Sequence, residues 1–100
     1  MSLSTKNRAY LRSLANTMKP SLTLGKGEAD ENFLKALENA LTAHELVKVR
    51  ILPTAEKEPD ELLSELSAAT MSEPVNRLGR VLTLYRPNPK KKDPIVLPKK

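Results

Sequence analysis

Residues 45–52, Glu-Leu-Val-Lys-Val-Arg-Ile-Leu, decide how the rest of the chain must be read. Val47, Val49 and Ile51 alternate with Leu46, Lys48 and Arg50. A period of two is the signature of a β-strand with one face on a core. The segment is the best strand in the sequence, and its neighbours on both sides follow from it.

Upstream, residues 21–24 (Ser-Leu-Thr-Leu) alternate as a short strand and Gly25-Lys26-Gly27 turns the chain. Residues 29–43 then place Phe33, Leu34, Leu37, Ala40 and Leu41 on one helical face. A strand, a helix and a second strand make a β-α-β unit, whose right-handed crossover leaves the two strands parallel. Residues 4–18 form a preceding helix with Leu11, Leu14, Ala15 and Met18 as its stripe. Ser4 is its N-cap, and Pro20 disfavours helical geometry at Lys19 and closes it.

Downstream, Pro59 suits the first turn of a third helix, with a stripe of Leu62, Leu63, Leu66 and Ala69 running to Thr70. Residues 75–78 and 81–86 read as strands joined by Gly79-Arg80, a sequence that fits a type II′ hairpin. The order α-β-α-β-α-β-β predicts an α/β sandwich: a mixed four-stranded sheet with its helices packed on one face. Residues 1–86 make one domain. Residues 87–100 hold four prolines and five lysines and read as an extended basic tail, tacked down by Ile95 and Leu97.

One hundred residues can bury one modest core. Aromatic residues are confined to Tyr10, Phe33 and Tyr85, so that core is aliphatic. The absence of cysteine excludes disulfides, thiol catalysis and zinc fingers. No apolar run is long enough to span a membrane, and the first residues lack a signal-peptide stretch, so a cytoplasmic location is expected.

The net charge of +5 conceals a segregation. Residues 1–26 carry five basic residues and no acid, residues 27–73 four basic and eleven acidic, and residues 74–100 eight basic and one acidic. A polyanion-binding protein needs a basic face rather than a basic average. Two basic ends around an acidic middle supply one if the fold brings them together.

Catalysis is hard to build from these residues. His44 is the single histidine and stands where a helix ends, a favourable place for a cation. Glu56, Glu58, Asp60 and Glu61 fall before and within the first turn of a helix, where acids stabilise the dipole. Gly25-Lys26-Gly27 offers close backbone approach, free amides of the next helix and a cation, which suits a phosphate. An ordinary strand-to-helix turn would look the same. Lys48 and Arg50 on one strand face, Arg77, Arg80 and Arg86 on the hairpin, and Lys90-Lys91-Lys92 could each be solvated charge. With Lys6, Arg8 and Arg12 they are many cations on few elements.

Several stretches together resemble the small bacterial YhbY-like proteins, whose domain is the CRM (chloroplast RNA splicing and ribosome maturation) domain. They are residues 3–6 with Leu11, Leu14-Ala15 and Lys19-Pro20; Leu24-Gly25-Lys26-Gly27; residues 44–51; Gly79 through Pro87; and Leu97-Pro98-Lys99-Lys100. The resemblance implies a fold like the C-terminal domain of bacterial translation initiation factor three. It also implies RNA binding, association with precursors of the large ribosomal subunit, and no enzymatic activity. The family's Gly-x-x-Gly loop maps onto residues 25–28, where Glu28 replaces the last glycine, and Ala29-Asp30 replaces the usual Leu-Thr. Met71 stands where the family tends to have a glycine after the third helix.

The expectation is therefore an RNA-binding monomer without cofactor, metal or small-molecule substrate, its partner the ribosomal RNA of large-subunit precursors. The expected contacts are Lys6, Arg8, Arg12, Gly25, Lys26, Gly27, Lys48, Arg50, Arg80, Arg86, Lys90, Lys91 and Lys92. Lys6, Arg12, Lys26, Lys48 and Arg86 are expected to share one contiguous positive region. The scarcity of aromatics predicts backbone- and shape-led binding. The alternatives are a protein-interaction module docking through the acidic middle, and a DNA-binding protein.

Overall fold

The computed structural model describes residues 3–25, 30–92 and 94–97. Its elements follow the expected order: α1 (Thr5–Ala15), β1 (Leu22–Leu24), α2 (Glu31–His44), β2 (Leu46–Ile51), α3 (Pro59–Thr70), β3 (Glu73–Leu78) and β4 (Val81–Tyr85). The sheet order is β1-β2-β4-β3. β1 runs parallel to β2, and β4 is antiparallel to both β2 and β3.

Local chemistry sets the helix starts. The Ser4 hydroxyl accepts from the Asn7 amide at 3.0 Å, as expected for an N-cap. The Asp30 carboxylate does the same for Phe33 at 2.8 Å. Pro59 occupies the first turn of α3. In the hairpin, Gly79 takes φ +62° while Arg80 stays out of the positive-φ region, the sign pattern of a type II′ turn.

The alternation along β2 separates two cores. Val47, Val49 and Ile51 join Leu82, Leu84, Leu24 and the stripes of α2 and α3, with Leu37, Leu41, Leu62 and Leu66 almost wholly buried. Full burial of such side chains stabilises by about 1.5–3 kcal/mol each. On the other sheet face, Leu46, Val75 and Tyr85 pack with Leu11 and Ala15 of α1. The α/β class and the mixed four-stranded sheet are as expected, but the placing of every helix on one face is corrected for α1. Leu46 and Tyr85 are apolar on the face opposite α2 and α3, and the stripe of α1 is what covers them.

α1 also ends sooner than expected, at Ala15 rather than Met18. The Lys48 ammonium donates to the Ala15 carbonyl at 2.9 Å and to the Met18 carbonyl at 3.0 Å. A cation is favoured at that end of a helix.

Asn88, Ile95 and Leu97, beyond β4, are fastened to the domain. Ile95 and Leu97 pack against the α1 core, as expected. The stronger fastening is Glu45, a buried residue. Its carboxylate accepts from the Asn88 amide at 2.8 Å and the Ile95 amide at 2.7 Å. Its own amide donates to Leu41 and its carbonyl accepts from Arg86, both at 2.8 Å. These bonds hold Glu45 at φ +66°, a strained conformation for a residue with a Cβ. Burial and the negative Glu45 together push the Tyr85 phenol above its ordinary pKa, burial being the larger cause.

Two stability measurements test this frame. Met71 closes α3 at φ +55° with its side chain 87% exposed, so nothing compensates the strain. Met71→Gly is expected to raise stability by about 1 kcal/mol in urea unfolding. Glu45→Ala leaves two amides without an acceptor and is expected to cost about 2–3 kcal/mol. Hydrogen exchange at Asn88 and Ile95 should rise most.

Candidate nucleic-acid interface

The sheet turns the charge pattern of the sequence into a difference between its two faces. The acidic middle forms α2 and α3 on one face, carrying Glu31, Glu38, Asp60, Glu61 and Glu65. The basic N-terminal segment forms α1 on the other, with Lys6, Arg8 and Arg12 and no acid within the helix.

The α1 face is only partly covered. One row of residues crosses the sheet at its far end: Thr23, Arg50, Val81 and Leu78, paired in register from β1 through β2 and β4 to β3. Thr23 and Arg50 are exposed, Val81 is half-buried, and Leu78 is 72% exposed. The Arg50 side chain has no hydrogen-bond or ion-pair partner among the described residues. At this end Arg80 lies over the end of β2, its guanidinium donating to the carbonyls of Ile51 and Leu52 at 3.1 Å each.

α1 lies on the same face, packed on Leu46, Val75 and Tyr85. Leu14 and Met18 are on the flank that meets Ile95. Helical spacing puts Arg8 and Arg12 on the other flank of the helix. Arg8 is steadied by a bond to the Pro74 carbonyl at 3.3 Å. Arg8 and Arg80 are thus oriented by carbonyls, which position a cation without neutralising it. Arg12 and Lys6 are exposed, Lys6 on the flank away from Arg8 and Arg12.

Other expected contacts are committed elsewhere. Arg86 is built into the structure: it donates to the Glu38 carboxylate at 2.6 Å, the Thr70 carbonyl at 2.9 Å and the Thr42 hydroxyl at 3.0 Å. It ties α2 to the end of α3, and its charge is neutralised by Glu38. Arg77 is paired with Asp60. Lys48 is half-buried on the Ala15 and Met18 carbonyls. The single contiguous region expected for Lys6, Arg12, Lys26, Lys48 and Arg86 is therefore not formed by Lys48 and Arg86, whose donors are taken internally.

Lys26, Gly27 and Glu28 lie outside the described residues. Gly25 is described: a Cβ there would stand 3.0 Å from Cδ1 of Leu52, the tip of an exposed side chain. Lys90, Lys91 and Lys92 sit between Asn88 and Ile95, in a loop that begins and ends on the Glu45 carboxylate. Asn88 also caps α2, donating to the Thr42 carbonyl at 2.8 Å. The lysines therefore stand at the C-terminal end of α2. Asp30, the N-cap of α2, stands at its other end, roughly 20 Å away for 14 residues. The clamp itself had no signal in the sequence, where Glu45 reads as one more strand-edge acid.

Residues 3–86 match the model of the CRS1/YhbY (CRM) domain. The chain belongs to that family. A Haemophilus influenzae protein named "RNA-binding protein" is 35% identical over 98 residues, 98% of this chain and 97% of that protein. "Probable RNA-binding protein YqeI" of Bacillus subtilis is 32% identical over 84 residues, 84% of this chain and 88% of that one. The solution structure of the hypothetical protein SAV1595 from Staphylococcus aureus superposes with a TM-score of 0.80 at 38% identity, covering 96% of this chain and 99% of that chain. The α/β fold of this CRM domain is thus shared with a solved relative.

The two kinds of arginine in this CRM domain separate by experiment. Arg86→Ala is expected to cost about 2–3 kcal/mol of stability, because it leaves Glu38 and a helix-end carbonyl unpaired. Arg50→Ala should change stability by less than about 0.5 kcal/mol in the same denaturant titration.

Proposed function

We propose that this protein binds RNA through the open half of its α1 face, associates with the ribosomal RNA of large-subunit precursors and assists their assembly without catalysing a reaction. The observation that carries the reading is the uncovered row at Arg50. On the same sheet face, away from the acidic helices, Arg80 stands at the end of β2 and α1 carries Arg8 and Arg12, none of them paired with a carboxylate among the described residues. The names of the relatives support RNA as the ligand. The family's link to ribosome maturation supports ribosomal RNA as the source.

The mechanism is electrostatic docking. Guanidinium groups take phosphate oxygens through paired N–H donors. Thr23 and Leu78 offer a hydroxyl and an aliphatic surface between them, suited to sugars rather than to stacked bases. Gly25 follows β1 at the same end of the sheet, and Lys26 is proposed as a further phosphate contact. No group of three or more His, Cys, Asp or Glu that could hold a metal occurs among the described residues. The proposal routes no step through one.

Salt dependence tests it. Five phosphate contacts give a slope of log affinity against log salt of about −3.5 to −4.5. Arg50→Ala should reduce that slope by about one and weaken binding to structured RNA of any sequence. A slope near zero would overturn the reading and favour docking on a protein through the acidic helices. Duplex DNA binding equally well at equal salt would overturn the preference for RNA.

A further inference from the structure

On the opposite flank of α1 lies a hollow of about 520 Å³ that the proposed phosphate surface does not use. Its apolar floor is Leu14, Met18, Leu46 and Ile95, and its polar lining includes Lys19 and His44. We propose that this hollow takes one unstacked nucleotide of single-stranded RNA, with the base against the floor and His44 and the phosphate on Lys19. The inference rests on the RNA-binding reading and adds a second, chemically different subsite to it.

Size, stacking surface and charge point to this occupant. The volume falls in the range of small-ligand sites and suits a nucleotide rather than a strand. Flipped-out bases are held by stacking on aromatic or imidazole planes above an apolar surface. The aromatic residues are few, and Tyr85 is buried while Phe33 is packed against the core. Tyr10 is exposed one turn before Leu14 on the same flank, and His44 is exposed at the end of α2. His44 thus lines the hollow, and Tyr10 stands one turn of α1 beyond its Leu14 wall.

The electrostatics there have been cleared for an anion. α1 and α2 both end beside the hollow, and helix C-termini ordinarily repel phosphate. Lys48 takes the carbonyls of Ala15 and Met18, and Asn88 takes that of Thr42. Among the described residues no carboxylate lines the hollow, and the Glu45 carboxylate is turned to the Asn88 and Ile95 amides. Lys19 is exposed and without a partner among the described residues. The lysine loop 88–95 leads into the hollow through Ile95.

The test titrates the full chain with a short oligouridylate and with a chain of equal length whose riboses carry no base. The Met18 methyl and His44 imidazole NMR signals are followed. Both should shift with oligouridylate and stay in place with the abasic chain. His44→Ala, at an exposed site, should weaken oligouridylate binding about tenfold with the salt slope unchanged. Lys19→Ala should lower that slope by about one. Oligouridylate bound at saturation with both signals unmoved would overturn the subsite and leave the wider RNA-binding reading standing. Equal shifts with the abasic chain would overturn it in favour of charge alone. Shifts that follow protein concentration without RNA would overturn it in favour of a second copy. Failure of the wild-type chain to bind any RNA would remove both readings.

Discussion

The Glu45 carboxylate is the point through which the parts of this molecule are joined. It sits at the junction of α2 and β2, so it belongs to the central strand's start and to one helix's end. From there it reaches forward to Asn88 and Ile95, more than 40 residues along the chain. A buried carboxylate is tolerable only when its oxygens are fully used. Two backbone amides meet that demand, and in meeting it they bring the C-terminal segment across the end of α2. The packing of Ile95 and Leu97 against α1, and hence the shape of the hollow, follows from this one group.

A second constraint is the sheet itself, which divides the charges. Acids gather on α2 and α3, where Glu38, Asp60 and Glu65 neutralise Arg86, Arg77 and Lys57. Cations on the α1 side meet carbonyl oxygens or solvent instead. The same residue type therefore does two jobs according to its partner. Beside a carboxylate an arginine joins helices; beside a carbonyl it is aimed but still charged.

Much of this was legible in the sequence, for physical reasons that can be named. Strong periodicity and good punctuation located β2, α3 and the hairpin, because Val47, Pro59 and Gly79 have few other uses in such positions. The side of the sheet taken by α1 was not legible. It depends on Leu46 and Tyr85 sharing a face, and their pairing is a tertiary fact. The individual fate of each cation was hidden for the same reason. Lys48 and Arg50 are two residues apart on one strand face, yet one lies under a helix end and the other lies open. Sequence spacing assigns them a common face and says nothing of what crosses it.

The strand order carries a consequence for synthesis. β4 is an inner strand, yet it is the last to be made, and Ile95 follows it by ten residues. Until β4 leaves the exit tunnel, β2 has only the three-residue β1 beside it, and α2 and α3 have half a sheet to cover. Translation runs from the N-terminus at about 5–20 residues per second. Nascent chains of this protein thus spend most of their production time without the strand that closes their core. Completion comes late, when the hairpin inserts and Asn88 and Ile95 meet Glu45, so a chain stalled before β4 would leave one edge of β2 unpaired.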